Sequence, residues 1–269
     1  SVVGAGTRVT DAMSNAYTSI MLWAQSVRQT GSITPHRVQS AMFGQTYKSP
    51  EGLVTVRDNQ HLEKHARMVK VVTPSAANLG SPPASEVSAI AAFEIILDRL
   101  LTIEPHVWST HVPATNGHVC DWRNASIGGF STVAQVRVGI LHSTVGALAI
   151  SERAVIDAEL LAIEEINRAG GVLGQRVIPV MANGASVASI FATEATRLVV
   201  KESIPFVFGC WTSASRVAVT PVFEASTSLL FYPLQYEGQE CSKNTCNGGQ
   251  APKQQLEPAL DWVVYQLLG

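Results

Sequence analysis

Pro205-Phe-Val-Phe208 runs directly into Gly209-Cys-Trp-Thr-Ser-Ala-Ser-Arg216, and Ser228-Leu-Leu-Phe231 runs into Tyr232-Pro-Leu-Gln-Tyr-Glu-Gly-Gln-Glu-Cys-Ser242. Each apolar run is short, shows no polar alternation and is bounded by turn-forming residues, the pattern of a strand buried on both faces of a parallel sheet. Each then opens into a segment crowded with hydroxyls, phenols, amides and an indole, with few charges. In an open α/β sheet, the loops leaving the carboxyl ends of the strands line the ligand crevice. A site for a small, polar, uncharged molecule is therefore expected on these two loops.

The neighbouring sequence repeats the same grammar. Val136–Leu141 reads as a first strand. Ser151 then caps a helix reaching Ala169, with Val155, Ala158, Ala162, Ile163 and Ile166 inward and Glu152, Glu159 and Glu165 toward water. Gly170-Gly171 occupies the usual place of a helix stop. Arg176–Met181 is a second strand and Ser186–Lys201 a second helix. Ser213–Ser226 is a third helix, interrupted at Pro221. Strict alternation of this kind implies right-handed βαβ units, hence an α/β fold whose parallel sheet carries helices on both faces.

Upstream, the pattern changes twice. In Thr10–Val72, Thr10 or Asp11 caps a helix that turns Met13, Ala16, Tyr17, Ile20, Ala24 and Val27 inward and stops at Gly31. Thr34-Pro35 starts a second helix ending at Gly44, with proline in its favoured first turn. Leu53–Val56 and His65–Val72 read as strands, which makes this a small α+β segment. From Thr73 to Gln135, Pro74, Pro82, Pro83 and runs of Ser, Ala and Gly mark a linker. It holds one helix, Ala84–Leu101, whose Glu86, Glu94, Asp98 and Arg99 break it as a membrane span.

Composition excludes several classes. The chain has 269 residues and a formal net charge of −2, which offers no electrostatic footprint for nucleic acid or an anionic membrane. Cys210, at the end of an apolar run, reads as a small buried hydrophobe. Cys241 and Cys246 flank a four-residue turn and are placed to close a disulfide loop in an exported protein. His111, His118 and His142 lie too far away in sequence to complete a metal site with them, so no metal or other cofactor is expected. Asn124-Ala-Ser126 is a glycosylation sequon, meaningful only in a secreted eukaryotic protein. No signal peptide follows Ser1, and Leu256–Leu268 reads as a helix still running at the last residues, the pattern of an excerpt from a longer polypeptide.

From Val136 to about Trp262 the chain resembles the urea- and short-chain amide-binding members of the branched-chain amino-acid-binding superfamily, the type I periplasmic binding proteins of ABC transporters. The segment from Asn15-Ala-Tyr17 through Phe43-Gly-Gln45, Ser49-Pro-Glu-Gly52 and His61-Leu62 resembles the end of the same family. The order is thus inverted, and the family's middle, which supplies most of the second lobe, has no counterpart. The resemblance implies three regions: 1–72, like the C-terminal end of a binding domain; 73–135, the linker; and 136–269, an N-terminal lobe. Either a tandem array or a circular permutation produces that order, and the missing middle favours the array.

The resemblance also carries the site. It nominates Trp211, Ser213, Tyr232, Leu234 and Tyr236 as ligand contacts, with Ser213 doubling as helix N-cap. Chemistry adds Thr212 and the Gln235 amide, and the loop His142-Ser143, ending the first strand, adds Ser143. Leu234 and the Gln-Tyr-Glu-Gly-Gln-Glu-Cys run are closer to the urea type. Asn183-Gly-Ala-Ser186 stands where those relatives carry an acidic residue. The implied function is a non-enzymatic binding module for a small neutral amide, urea before others, periplasmic or extracellular. Its partner would be an ABC permease or, in a receptor, a downstream signalling domain. Without the second lobe's contacts, weak binding is expected. A rival reading, an amide hydrolase using Cys241 or Ser213, lacks both a Gly-x-Ser-x-Gly elbow and an identifiable activating base. A third is a structural module that has lost its ligand.

Overall fold

A computed structural model describes residues 9–72, 92–100, 135–238, 240 and 242–267. Helix α1 (Asp11–Thr30) is capped by Thr10, whose hydroxyl accepts the Met13 amide, and is stopped by Gly31 in the left-handed conformation. Helix α2 (Pro35–Met42) follows, then a three-stranded antiparallel sheet of β1 (Thr46–Ser49), β2 (Gly52–Val56) and β3 (Leu62–Glu63). Strand β4 (His65–Val72) pairs antiparallel with β5 (Ala92–Leu100).

Strand β5 corrects the sequence reading, which made Ala84–Leu101 a helix. Over residues 92–100 the chain is extended, in a register that pairs position 67 with 98 and position 70 with 94. Those positions hold Arg67 and Asp98, and Lys70 and Glu94. A run that reads as a helix in sequence is thus paired as a strand with β4. Residues 84–91, the rest of the linker and the Asn124 sequon lie outside the described residues.

From residue 136 onward the expected alternation is present: β6 (Val136–His142), α3 (Ala149–Arg168), β7 (Val177–Asn183), α4 (Ala188–Thr196, extended by a π-turn over Arg197–Lys201), β8 (Phe206–Gly209), α5 (Ser213–Glu224) and β9 (Leu229–Tyr232). A short β10 (Thr245–Asn247) and α6 (Pro252–Trp262) complete it. The five strands form one parallel sheet in the order β10-β9-β8-β6-β7. Helix α3 begins two residues before Ser151, with Leu148 at its N-cap. Pro221 lies inside α5 without ending it.

Strand alternation divides the core. Val138, Ile140, Phe206, Phe208 and Phe231 point to the face covered by α1 and α3, whereas Leu141, Val207 and Leu230 point to the face of α4 and α5. On the first face the fully buried indole of Trp23 stands edge-on to Phe206 (centroids 5.5 Å apart) and Phe208 (6.0 Å), and Phe208 stacks on Phe231 at 4.6 Å. Such aromatic pairs contribute about 0.5–1.5 kcal/mol each beyond their area. Residues 9–65 and 136–262 therefore share one hydrophobic core.

Polar seams close the same contact. The Asn15 amide donates to Pro233 O (2.9 Å) and Tyr17 OH to Glu165 (2.5 Å). Gln39 and Gln60 both donate to Lys243 O, and Gln254 donates to Leu62 O. His61 bridges in parallel to Asn247, so the N-terminal segment covers the β10 edge of the sheet.

Of the three glutamates read as solvent-facing on α3, two are not and the third is half-buried. Glu165 takes the Tyr17 hydroxyl, and Glu152 and Glu159 are fully buried around His142. Replacing Trp23 by alanine should cost about 3–5 kcal/mol, the range for deleting a buried aromatic. In a denaturant titration, probes in α1 and in the sheet should lose structure together, at one lowered midpoint.

Candidate functional site

With strand order β10-β9-β8-β6-β7, the chain leaves β6 toward β7 on one side and then crosses to β8 on the other. The gap between the carboxyl ends of β6 and β8 is the topological switch point, where ligands bind in sheets of this type. Two left-handed turns shape it. Gly209 (φ 138°) packs so closely on Leu141 that an added Cβ would lie 2.1 Å from its carbonyl oxygen. Cys210 follows at φ 65°, donating its amide to Leu141 O at 2.9 Å. A non-glycine residue held there stores backbone strain, and the turn swings Trp211 and Thr212 off the sheet end.

Thr212, not Ser213, is the N-cap of α5. Its hydroxyl accepts the Ser215 amide at 3.0 Å, and Ser215 Oγ reciprocates toward the Thr212 amide. That releases Ser213, the first helical residue, which donates to the Glu237 carboxylate and accepts from Arg216 Nη1 at 3.1 Å. Tyr232, at the end of β9, donates its hydroxyl to Trp211 O (3.0 Å). Trp211, Thr212, Ser213 and Tyr232 are thereby assembled across the ends of β8 and β9, and Gln235 and Glu237 stand exposed beside them.

Other nominated residues are placed differently. Ser143 is fully buried: its amide donates to Glu152 (2.8 Å), and its hydroxyl accepts the Ser186 amide (2.8 Å), bracing the turn after β7. Asn183 Oδ1 serves the same turn by accepting the Thr144 and Ala185 amides, both at 2.9 Å. Leu234 is packed in the α4–α5 core, and Tyr236, also buried there, donates its hydroxyl to His61 Nε2. Cys246 is a buried free thiol that donates to Gln60 Oε1 at 3.4 Å, and Cys241 lies outside the described residues.

The site is less neutral than its sequence suggests. Arg216, one helical turn beyond Ser213, is buried with its guanidinium 5.0 Å from the Tyr232 ring centre and 4.7 Å from that of Tyr236. Its Nε donates to the buried Glu240 at 2.7 Å. The i, i+3 spacing from Ser213 was the available signal for Arg216. Glu240 lies in the loop after β9 but stands out only once paired. The Ser213 hydroxyl, with smaller help from Arg216, holds the Glu237 carboxyl below the usual carboxylate range, so it is an exposed anionic acceptor beside the start of α5. Burial pushes the Tyr232 phenol up to about 12, and it remains a donor.

Two histidines frame the site with opposite charge states. His61 is driven down to about 4 by burial, and its Nδ1 donates to Asn59 O (2.9 Å). Burial alone would lower His142 as well. The charge of Glu159 and hydrogen bonds to Glu152 (2.9 Å) and Glu159 (3.2 Å) overcome that and hold it at about 9. Ser213 Oγ is thus tied to Glu237 and Arg216, whereas both histidines spend both ring nitrogens elsewhere. A nucleophilic serine needs the opposite arrangement. Among the described residues, no group of three or more His, Cys, Asp or Glu is placed to hold a metal, and no helix is long and apolar enough to cross a membrane.

Known proteins match parts of this chain. The family model described as "Periplasmic binding protein domain" matches residues 1–113 and 136–268. Proteins named "Leu/Ile/Val-binding protein homolog 8" from Brucella abortus and Brucella melitensis are 34% identical over 95 residues, which is 35% of this chain and 23% of theirs. The chain thus matches about a quarter of the length of those relatives. Among solved structures, the branched-chain amino acid transporter substrate-binding protein LivJ of Streptococcus pneumoniae with isoleucine aligns at 23% identity and TM-score 0.45, over 50% of this chain and 39% of that one. The leucine-binding protein LivK of Thermotoga maritima aligns at 21% identity and TM-score 0.42, over 50% and 38%.

The histidines set a pH signature. His142 binds its proton more tightly folded than at the ordinary value of 6.5, so its stabilisation is complete below 6.5 and lost as pH rises through about 9. For His61 the folded value is the lower one, so its contribution is present above 6.5 and lost as pH falls toward about 4. Thermal melts across pH 4–10 should peak near 6.5. His142→Gln should flatten the alkaline limb, and His61→Gln should flatten part of the acid limb.

Proposed function

The chain belongs to the periplasmic binding protein domain family, and on that premise we propose that it forms the ligand-holding lobe of an ABC-transporter substrate-binding protein, working outside the cytoplasmic membrane. The ligand class is a small molecule presenting N–H donors and a carbonyl-type acceptor, with urea or a short-chain amide first. One observation carries this reading: the Ser213–Glu237 pair on the loops leaving β8 and β9, set beside the first turn of α5. The Glu237 carboxylate accepts ligand N–H groups. The outward amides and positive dipole end of α5 receive the ligand's oxygen. Trp211 supplies an aromatic wall.

A second reading is a branched-chain amino acid, favoured by the names of the Brucella relatives. An amino acid also brings an N–H donor and an oxygen acceptor, and it needs an aliphatic wall in addition. Leu234, the loop residue closer to the urea type in sequence, is turned into the core, so it supplies a wall to neither ligand and does not separate the two readings. The permease that would receive the ligand, or a signalling domain in a receptor, belongs to the same proposal.

Thermal-shift measurements with millimolar urea, acetamide, formamide, leucine and isoleucine distinguish the readings. At 100 times its dissociation constant, the right ligand adds about 2.7 kcal/mol of stability. Urea or an amide should raise the melting temperature, and Glu237→Gln should abolish the rise while lowering the ligand-free melt only slightly, by the loss of the Ser213–carboxylate interaction. A rise with leucine or isoleucine alone would favour the second reading. No rise with any of them would defeat both.

A further inference from the structure

The Ser213 hydroxyl has one hydrogen and two lone pairs, and its neighbours decide how they are used. Arg216 Nη1 donates to it at 3.1 Å, and a guanidinium has donors only, so this bond cannot run the other way. The guanidinium is itself held in place. Its Nε donates to Glu240 Oε2 at 2.7 Å, and Glu240 Oε1 accepts the Ser242 amide at 2.8 Å. The rings of Tyr232 and Tyr236 lie against it, centred 5.0 Å and 4.7 Å from its carbon. Tyr232 gives its own proton to Trp211 O, so it has none to offer Ser213. The Ser213 hydrogen is thus left for an acceptor away from Arg216, and the exposed Glu237 carboxylate takes it.

We infer that Arg216 is a positioning residue for ligand selection: by fixing Ser213 as a hydrogen-bond donor, it restricts the site to molecules that carry an acceptor oxygen next to an N–H group. This rests on the ligand-holding role proposed above and adds the rule by which the site chooses. The ligand enters the Ser213–Glu237 hydrogen bond and replaces both halves of it. Its oxygen takes the Ser213 hydrogen, and its N–H goes to Glu237. The charge of Arg216 polarises the hydroxyl, making it a better donor and a poorer acceptor for a second N–H. Urea and acetamide satisfy both positions. Guanidinium, the isostere of urea with an amino group in place of the oxygen, meets the Ser213 hydrogen with hydrogens of its own. Acetate, the isostere of acetamide, brings no N–H and sets a carboxylate against Glu237. A site built around a hydrogen bond rejects an analogue that cannot make it, because the site's own polar groups are left unpaired.

Titration calorimetry of the 269-residue chain with urea, acetamide, guanidinium and acetate, at matched ionic strength, tests the rule. Urea and acetamide should bind about tenfold or more tightly than their isosteres. Ser213→Ala should weaken urea about tenfold and leave guanidinium unchanged. Arg216→Gln removes the cation and adds an acceptor, and it should erase the preference for urea over guanidinium. Arg216→Lys, a donor only, should keep that preference even where both affinities fall. A merely structural role for Arg216 would lower both affinities together and leave their ratio intact. Circular dichroism checks each variant, and should Arg216→Gln fail to fold, Ser213→Ala and Arg216→Lys carry the test. Guanidinium bound as tightly as urea, or a preference untouched by Ser213→Ala and lost in Arg216→Lys, would overturn the inference and leave the amide-binding role standing. Binding of none of the four compounds would overturn that role, and the rule with it.

Discussion

The contact between the α1 indole and the aromatic face of the parallel sheet supports everything else in the molecule. The sheet has two apolar faces, and α4 and α5 cover only one of them. On the other, α3 lies over β6 and β7 while Phe206, Phe208 and Phe231 wait on β8 and β9. Trp23, Ile20, Ala24 and Val27 fill that space from a helix more than a hundred residues away in sequence. Without α1 the lobe would expose a row of phenylalanines to water, with about 25 cal/mol lost for each Å² uncovered. A segment that begins the chain is therefore part of the lobe built at its other end.

The crevice inherits its geometry from that assembly. The α1 helix also carries Asn15, which holds Pro233 and with it the start of the loop after β9. His61, delivered by the N-terminal segment, takes the Tyr236 hydroxyl from below. Tyr232 and Tyr236 then flank Arg216, whose charge is balanced by Glu240. A buried ion pair of this sort is costly to desolvate, and it is better suited to fixing one arrangement than to adding stability. Here the fixed quantity is the position of Ser213, to which Arg216 donates, and through it of the exposed Glu237.

The parallel sheet was legible because its central strands are short, doubly buried and separated by turns, so each reads as an uninterrupted apolar run. Boundaries fell within a residue or two of expectation at β6, β8 and β9. Illegible parts share one physical cause: long-range partners that local periodicity does not encode. Trp23 was passed over because an amphipathic helix is expected to bury one stripe, whereas α1 is covered on several sides and buries Ser14, Asn15, Ser19 and Ser26 as well. Glu152 and Glu159 looked like surface residues until His142 supplied the counter-charge. β5 looked helical until β4 supplied a partner strand. The hydroxyl-rich loops marked the carboxyl ends of β8 and β9, but local chemistry did not separate the residues exposed there from the buried ones. Tyr232, Tyr236 and Leu234 are buried.

The sharpest test is to sever the chain and ask whether its halves find each other. Residues 1–72 and 136–269, expressed as separate polypeptides, should co-purify and unfold in one cooperative transition, while 136–269 alone should be aggregated or molten. A cooperatively folded 136–269 that ignores the N-terminal piece would contradict the shared core and everything derived from it.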